Sequence, residues 1–208
     1  MSLKTEENEN ANTVLLRPWN ETDGQDSHLV SNDSRIPALA RSAVETFISR
    51  RRIIEPRTSF LSSLLNQPSA CFVSIKTLDY ELRGCIGTVE PEKSTLAEEI
   101  VANAIKAATC DPRFSPISEN ELPSLLYSVD VLGSLEQSQF EDLDPTIFGV
   151  VVLDHSGSRR GLLLPDIESI KTADLQVRVA AKKAGIKPDE PLRLYRFRTR
   201  RFSERDNL

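Results

Sequence analysis

The chain has 208 residues, of which 39% are apolar and 27% charged, with a net charge of −5. That length suits one hydrophobic core with at most a small companion, and the composition excludes a fibrous repeat or a wholly unfolded chain. No apolar run approaches the ~18 residues that span a bilayer, the first residues are acidic where a signal peptide is basic, and Cys71, Cys85 and Cys110 are odd in number and widely spaced; a cytoplasmic protein without disulfides is expected.

Residues 1–34 are rich in Glu, Asn, Asp, Ser and Thr, with one apolar island at Val14, Leu15, Leu16 and Trp19. Such a segment buries too little surface to offset its ordering entropy and reads as a loosely held acidic tail. From Pro37 the pattern turns helical, with Leu39, Ala40, Ala43, Val44, Phe47 and Ile48 on one face behind a Ser34 cap. Arg50, Arg51 and Arg52 close this helix, where cations complement the helix dipole.

Ala70 to Leu78 and Leu82 to Val89 have strand composition around an Asp79-Tyr80 turn and predict a hairpin. With a two-residue loop, Cys85 lies opposite Ser74 and Cys71 points to the other face. The next helix carries the capping box Thr95 and Glu98 and a stripe from Ala97 to Ala108. It should end near Cys110, because Asp111 precedes a proline, leaving Asp111 to Pro116 as a loop. Ser118 and Glu121 repeat the capping-box spacing before a strand from Leu125 to Leu132.

Gly149 to Leu153 and Gly161 to Leu164 predict a second hairpin, with His155 idle at its tip. A late helix runs from Thr172 to Ala184 and stops at Gly185 and Ile186. The last strand is predicted over Leu192 to Phe202, with Arg196, Arg198 and Arg200 on one face. Strands arranged as hairpins imply an α+β fold with a largely antiparallel sheet flanked by helices. No internal repeat is read from the sequence.

The unusual segment is Leu82-Arg83-Gly84-Cys85-Ile86-Gly87-Thr88, because glycine costs a strand entropy and packing, and here it occurs twice. Two readings remain open. The backbone and the Cys85 thiol are open to a ligand, with Arg83 supplying charge, or the strand carries a bulge and a buried, inert cysteine. His28 and His155 are the only histidines, and Cys-x-x-Cys and His-x-x-x-His are both missing, so neither a metal site nor a cofactor is expected.

Leu82 to Thr88, Pro91, Ala104 to Ala108 and Asp111-Pro112-Arg113-Phe114-Ser115-Pro116 together resemble the AMMECR domain family, most closely its branch called AmmeMemoRadiSam system protein A. The similarity continues through Glu121-Leu122-Pro123, Ser128 to Leu132, Gly161 to Pro165 and Leu194 to Phe197. It covers roughly Pro37 to Phe202. The resemblance implies residues 35–203 as one such domain, followed by a short tail at 204–208, with an α+β body, a smaller α/β lobe beside it and a cleft between them. It maps the family's motif onto Arg83, Gly84, Cys85, Ile86, Gly87 and Thr88, and a companion loop onto Asp111, Arg113 and Phe114. It also implies association with a Memo-like protein and a radical S-adenosylmethionine protein.

Three functions follow as expectations. The first is an accessory or substrate-handling component that holds an anionic small molecule or partner segment near Arg83, Cys85 and Arg113, with Gly84, Gly87, Thr88 and Phe114 completing the ligand-binding set. The second is an enzyme with Cys85 as its reactive thiol and Asp111 as the acid-base or orienting group. The third is RNA binding by the basic C-terminal strand, in which Pro191 to Leu208 holds six arginines against two acids. Nucleic acid ranks last because the chain is acidic overall.

Overall fold

The computed structural model describes residues 33–56 and 63–204. The apolar island with Trp19 and the residues from Arg205 onward lie outside the described residues. Among the described residues, eight strands form two four-stranded sheets, β2-β1-β3-β8 and β4-β7-β5-β6, in which every paired strand is antiparallel. The α+β expectation therefore holds, with the strands divided between two sheets.

The first lobe begins with helix α1, Arg35–Arg50. Ser34 stands at its N-cap without a side-chain hydrogen bond, contrary to expectation. The Asp33 carboxylate does the work, accepting from the Arg35 N–H at 3.2 Å and from its guanidinium at 2.7 Å. A helical backbone angle at Ser34 keeps its hydroxyl from the N–H groups it would have capped. Strands β1, Cys71–Thr77, and β2, Leu82–Gly87, form the predicted hairpin, and helix α2, Leu96–Thr109, packs across both. The Thr95 and Glu98 capping box of α2 is present.

Strand β3, Leu125–Leu132, then returns beside β1. Ile36, Val44, Val73, Ile75, Ile100 and Val129 are among the fully buried residues of the core between the helices and this sheet. Removing each such side chain from water is worth about 1.5–3 kcal/mol.

The second lobe holds β4, Glu136–Ser138, which has no counterpart in the sequence reading, then β5, Gly149–Asp154, and β6, Arg160–Leu163. Helix α3, Ala173–Lys183, packs on the β5–β6 hairpin, and β7, Leu192–Phe197, returns beside β5. Gly185, at a φ of 67°, provides the left-handed stop expected there. His155 lies exposed at the hairpin turn.

The predicted final strand is two strands. The chain leaves the second sheet at Arg198 and joins the first as β8, Thr199–Ser203. Phe197 and Phe202 are both about 1% exposed, yet they lie an odd number of residues apart. In one continuous strand they would face opposite sides; the change of sheet lets each enter a core.

The two lobes share a topology that the sequence does not show as a repeat. Both lobes follow the same path, a hairpin, a helix packed on it, and a third strand antiparallel to the first: β1-β2-α2-β3 and β5-β6-α3-β7. Gly84 and Gly161 are equivalent in the two units, each at the second position of an Arg-Gly pair in the edge strand. A Cβ on Gly84 would sit 2.2 Å from the Ala107 carbonyl oxygen, and one on Gly161 would sit 1.9 Å from that of Ala180. The lobes meet through a small cluster of Ala70, Leu132, Val151 and Phe197 and through Arg160 donating to Glu90 at 2.7 Å. Where the chain crosses between sheets, Gly133 N–H donates to the Arg198 carbonyl at 2.9 Å.

Candidate functional site

The β1–β2 register places Cys85 opposite Ser74 as expected, although the turn is one residue longer than predicted: the Thr77 N–H donates to the Glu81 carbonyl at 2.9 Å around residues 78–80, and a bulge restores the pairing. Ile75 faces Gly84 while Lys76 faces Leu82, so Arg83 is the extra residue of a bulge. Cys71 faces the core and is fully buried, whereas Cys85 is half-buried on the outer face, 3.2 Å from the Ser74 hydroxyl that donates to its sulfur.

β2 is an edge strand, and the Asp111 to Phe114 loop covers the backbone it leaves unpaired. The Asp111 carboxylate accepts from the Cys85 N–H at 2.8 Å, and Arg113 Nη2 donates to the Cys85 carbonyl at 3.2 Å. Arg113 also donates through Nε and Nη2 to the two Asp111 oxygens at 2.9 and 2.7 Å. An aspartate and an arginine two residues apart thus do the work of a neighbouring strand. Arg113 stacks over Phe114 at 5.4 Å, which fixes the guanidinium plane.

The remaining members of the predicted set have other surroundings. The Arg83 guanidinium turns to Glu121 at 2.7 Å and to the Ser115 carbonyl at 2.8 Å, pulling the carboxyl of Glu121 down to about 2. Gly84 admits the backbone of α2, and a Cβ on Gly87 would meet the Phe72 ring at 2.3 Å. Thr88 is buried and donates to the buried Glu99 at 2.7 Å. Cys85, Asp111, Arg113 and Phe114 therefore come together, while Arg83 binds the far end of the loop and Gly84, Gly87 and Thr88 line packed contacts.

Burial raises the Cys85 thiol above its ordinary value; the Ser74 hydrogen bond and Arg113 lower it in part, against the opposing charges of Asp130 and Asp111. The hydrogen bonds from Arg113 hold the Asp111 carboxyl far below the usual carboxylate range, so it stays ionised and bound to its partners. Desolvation and the Arg113 charge push Lys183 down, while the nearby Cys85 acts in the opposite sense. Lys183 belongs to α3, so a cation of the second lobe lies within electrostatic reach of Cys85 and Arg113. Its ammonium also reaches the Leu162 carbonyl at 3.5 Å. Arg201 lies on the first sheet, bound to Asp130 at 2.8 and 3.2 Å.

Sequence reasoning missed Lys183, Asp130 and Arg201 as neighbours of Cys85. Pairing β3 with β1 and β8 would have found the last two, since Asp130 lies opposite Phe72 and Arg201 opposite Asp130. Nothing local in the sequence marks Lys183, which arrives through the packing of the two lobes. Among the described residues, no group of three His, Cys, Asp or Glu side chains is placed to hold a metal ion.

The AMMECR1 family model matches residues 37–202. A protein of Thermotoga maritima is 44% identical over 161 residues, covering 76% of this chain and 91% of its own length. A Clostridium acetobutylicum protein is 36% identical over 167 residues, or 80% of this chain, which spans 35% of that longer relative. Among solved structures, an uncharacterised protein of Pyrococcus horikoshii superposes with a TM-score of 0.75 at 28% identity, covering 82% of this chain and 90% of that one.

Proposed function

Because this chain belongs to the AMMECR1 family, we propose that it is an accessory component that holds an anionic group, on a small molecule or a partner segment, in the recess beside Cys85. The observation that carries this reading is the state of Arg113. Its guanidinium is fixed by Asp111 and the Cys85 carbonyl, yet its side chain is 54% exposed. Nη1 has no hydrogen-bond partner among the described residues, and Lys183 lies near enough for its titration to feel Arg113. A fixed, half-exposed guanidinium near a second cation is preorganised for a carboxylate or phosphate.

In this reading Cys85 is a wall of the recess. A nucleophilic thiol needs a lowered pKa and a base, whereas burial pushes this one up and the adjacent Asp111 is committed to Arg113. The RNA-binding alternative is weakened by the use made of the basic strands. Arg196 and Arg198 both lie over the Phe148 ring, at 4.5 and 4.6 Å, and Arg201 is paired with Asp130. These arginines belong to two sheets and do not form one stripe.

The partners we propose are a Memo-like protein and a radical S-adenosylmethionine protein, on the strength of the resemblance carried by Leu82 to Thr88 and Asp111 to Pro116. Purified proteins mixed aerobically and anaerobically should form a complex or change the partners' turnover, and Arg113→Gln should weaken that effect about tenfold, the worth of one charge-assisted hydrogen bond. The absence of both association and altered turnover at high protein concentration would overturn the reading.

A further inference from the structure

The outer face of the first sheet carries a feature that the Cys85 recess does not explain. Cross-strand register sets Cys85 opposite Ser74, Ser74 opposite Ser128, and Ser128 opposite Ser203, one row across all four strands. At about 4.8 Å per strand, the three serines extend over about 10 Å. Solvent-facing strand positions favour β-branched or long side chains, and a row of serines leaves a trough instead. Its walls are the rows two residues away, Lys76 with Leu126 on one side and Asp130 with Arg201 on the other. The trough is an open recess of about 190 Å³ whose lining includes Ser74, Ser128, Ser203, Lys76 and Arg201.

The charges in this recess point to an anion. Lys76 is half-buried and makes no ion pair among the described residues. Arg201 gives Nε and Nη2 to Asp130, whose side chain is 2% exposed, leaving Nη1 on a half-exposed guanidinium. The carboxylate in its walls, Asp130, is held by Arg201. The Ser128 hydroxyl has no hydrogen-bond partner among the described residues, and hydroxyls can donate to an oxyanion.

We propose that Lys76, the Arg201 Nη1 and the Ser128 hydroxyl at the middle of the serine row form an anion site for a small phosphate monoester, separate from the recess at Arg113. Phosphate is favoured over carboxylate because three peripheral oxygens and nearly two negative charges suit a hydroxyl donor set between two cations. The volume limits the occupant, being well below the roughly 300–1,000 Å³ of sites that enclose drug-sized ligands.

The test is a titration of the intact chain with inorganic phosphate at constant ionic strength, following the backbone amide signals of Ser74 and Ser128 by NMR. Chloride and acetate serve as comparison anions. The site predicts saturable shifts at millimolar phosphate, at least tenfold weaker binding in Lys76→Gln, a smaller loss in Ser128→Ala, and binding unchanged in Arg113→Gln. Unperturbed amides elsewhere in Lys76→Gln establish that the variant is folded. The proposal is overturned if the two amides do not saturate, if Lys76→Gln binds as well as the parent, or if acetate matches phosphate. Loss of binding in Arg113→Gln with Lys76→Gln unaffected would also overturn it, while supporting an anion at Cys85.

Discussion

Three cysteines within forty residues occupy three environments, which makes the chemistry of Cys85 measurable. Cys110 is exposed, Cys85 half-buried and Cys71 fully buried, with the Cys71 thiol pushed up to about 12 by desolvation. Disulfide-exchange labelling near neutral pH should modify Cys110 first and Cys85 slowly, with Cys71 reacting only on unfolding. Because burial raises the Cys85 pKa, its labelling rate should go on climbing with pH beyond the ~8.5 at which a free thiol is half ionised. A fast reaction assigned to Cys85 at neutral pH, by comparison with Cys85→Ser, would revive the nucleophile reading. The side of the sheet on which this sulfur lies agrees with the sequence reading because two departures cancel: the turn is one residue longer than predicted and the bulge at Arg83 takes up the difference. Its surroundings were not legible in the sequence, because Asp130, Arg201 and Lys183 come from strands and a helix whose neighbours no local pattern specifies.

Among the elements, the edge strands explain why glycine occurs where strand propensity opposes it. A methyl group on Gly84 would collide with the Ala107 carbonyl, so α2 could approach β2 only by shifting its backbone. Gly84→Ala should therefore destabilise the protein by about 1–3 kcal/mol, the usual cost of overpacking, seen as a lower denaturant midpoint with unchanged slope. Gly161→Ala should behave alike against Ala180. A negligible change in either would mean that the helix gives way easily. The hairpins, the α2 capping box and the Gly185 stop were readable because turn and cap chemistry are local, whereas the Ser34 cap failed because its backbone is helical. The division of Leu192 to Phe202 was hidden, because alternation alone cannot tell one strand from two that join different sheets, although the odd spacing of Phe197 and Phe202 carried the clue.

For the whole molecule, the antiparallel α+β class followed from the order of hairpins, whereas the matching paths of the two lobes emerged only once strand order was known. Those paths preserve an Arg-Gly pair and little else that a sequence comparison would notice, since buried positions need only apolar side chains of suitable size. The lobes share the cluster of Ala70, Leu132, Val151 and Phe197. Amide hydrogen exchange should accordingly give similar opening free energies for β3 and β5, as expected of one cooperative unit. Earlier loss of protection throughout β5, β6 and β7 would show the second lobe opening by itself.

The chain enters the second lobe after β3 and leaves it before β8, and these two passages are tied where Gly133 meets Arg198. A lobe on one tether can swivel freely, but a pair of adjoining tethers acts as a door hinge and leaves bending about a single line as the easy motion. Bending there would carry Lys183 toward or away from Arg113 about a point that neither residue touches.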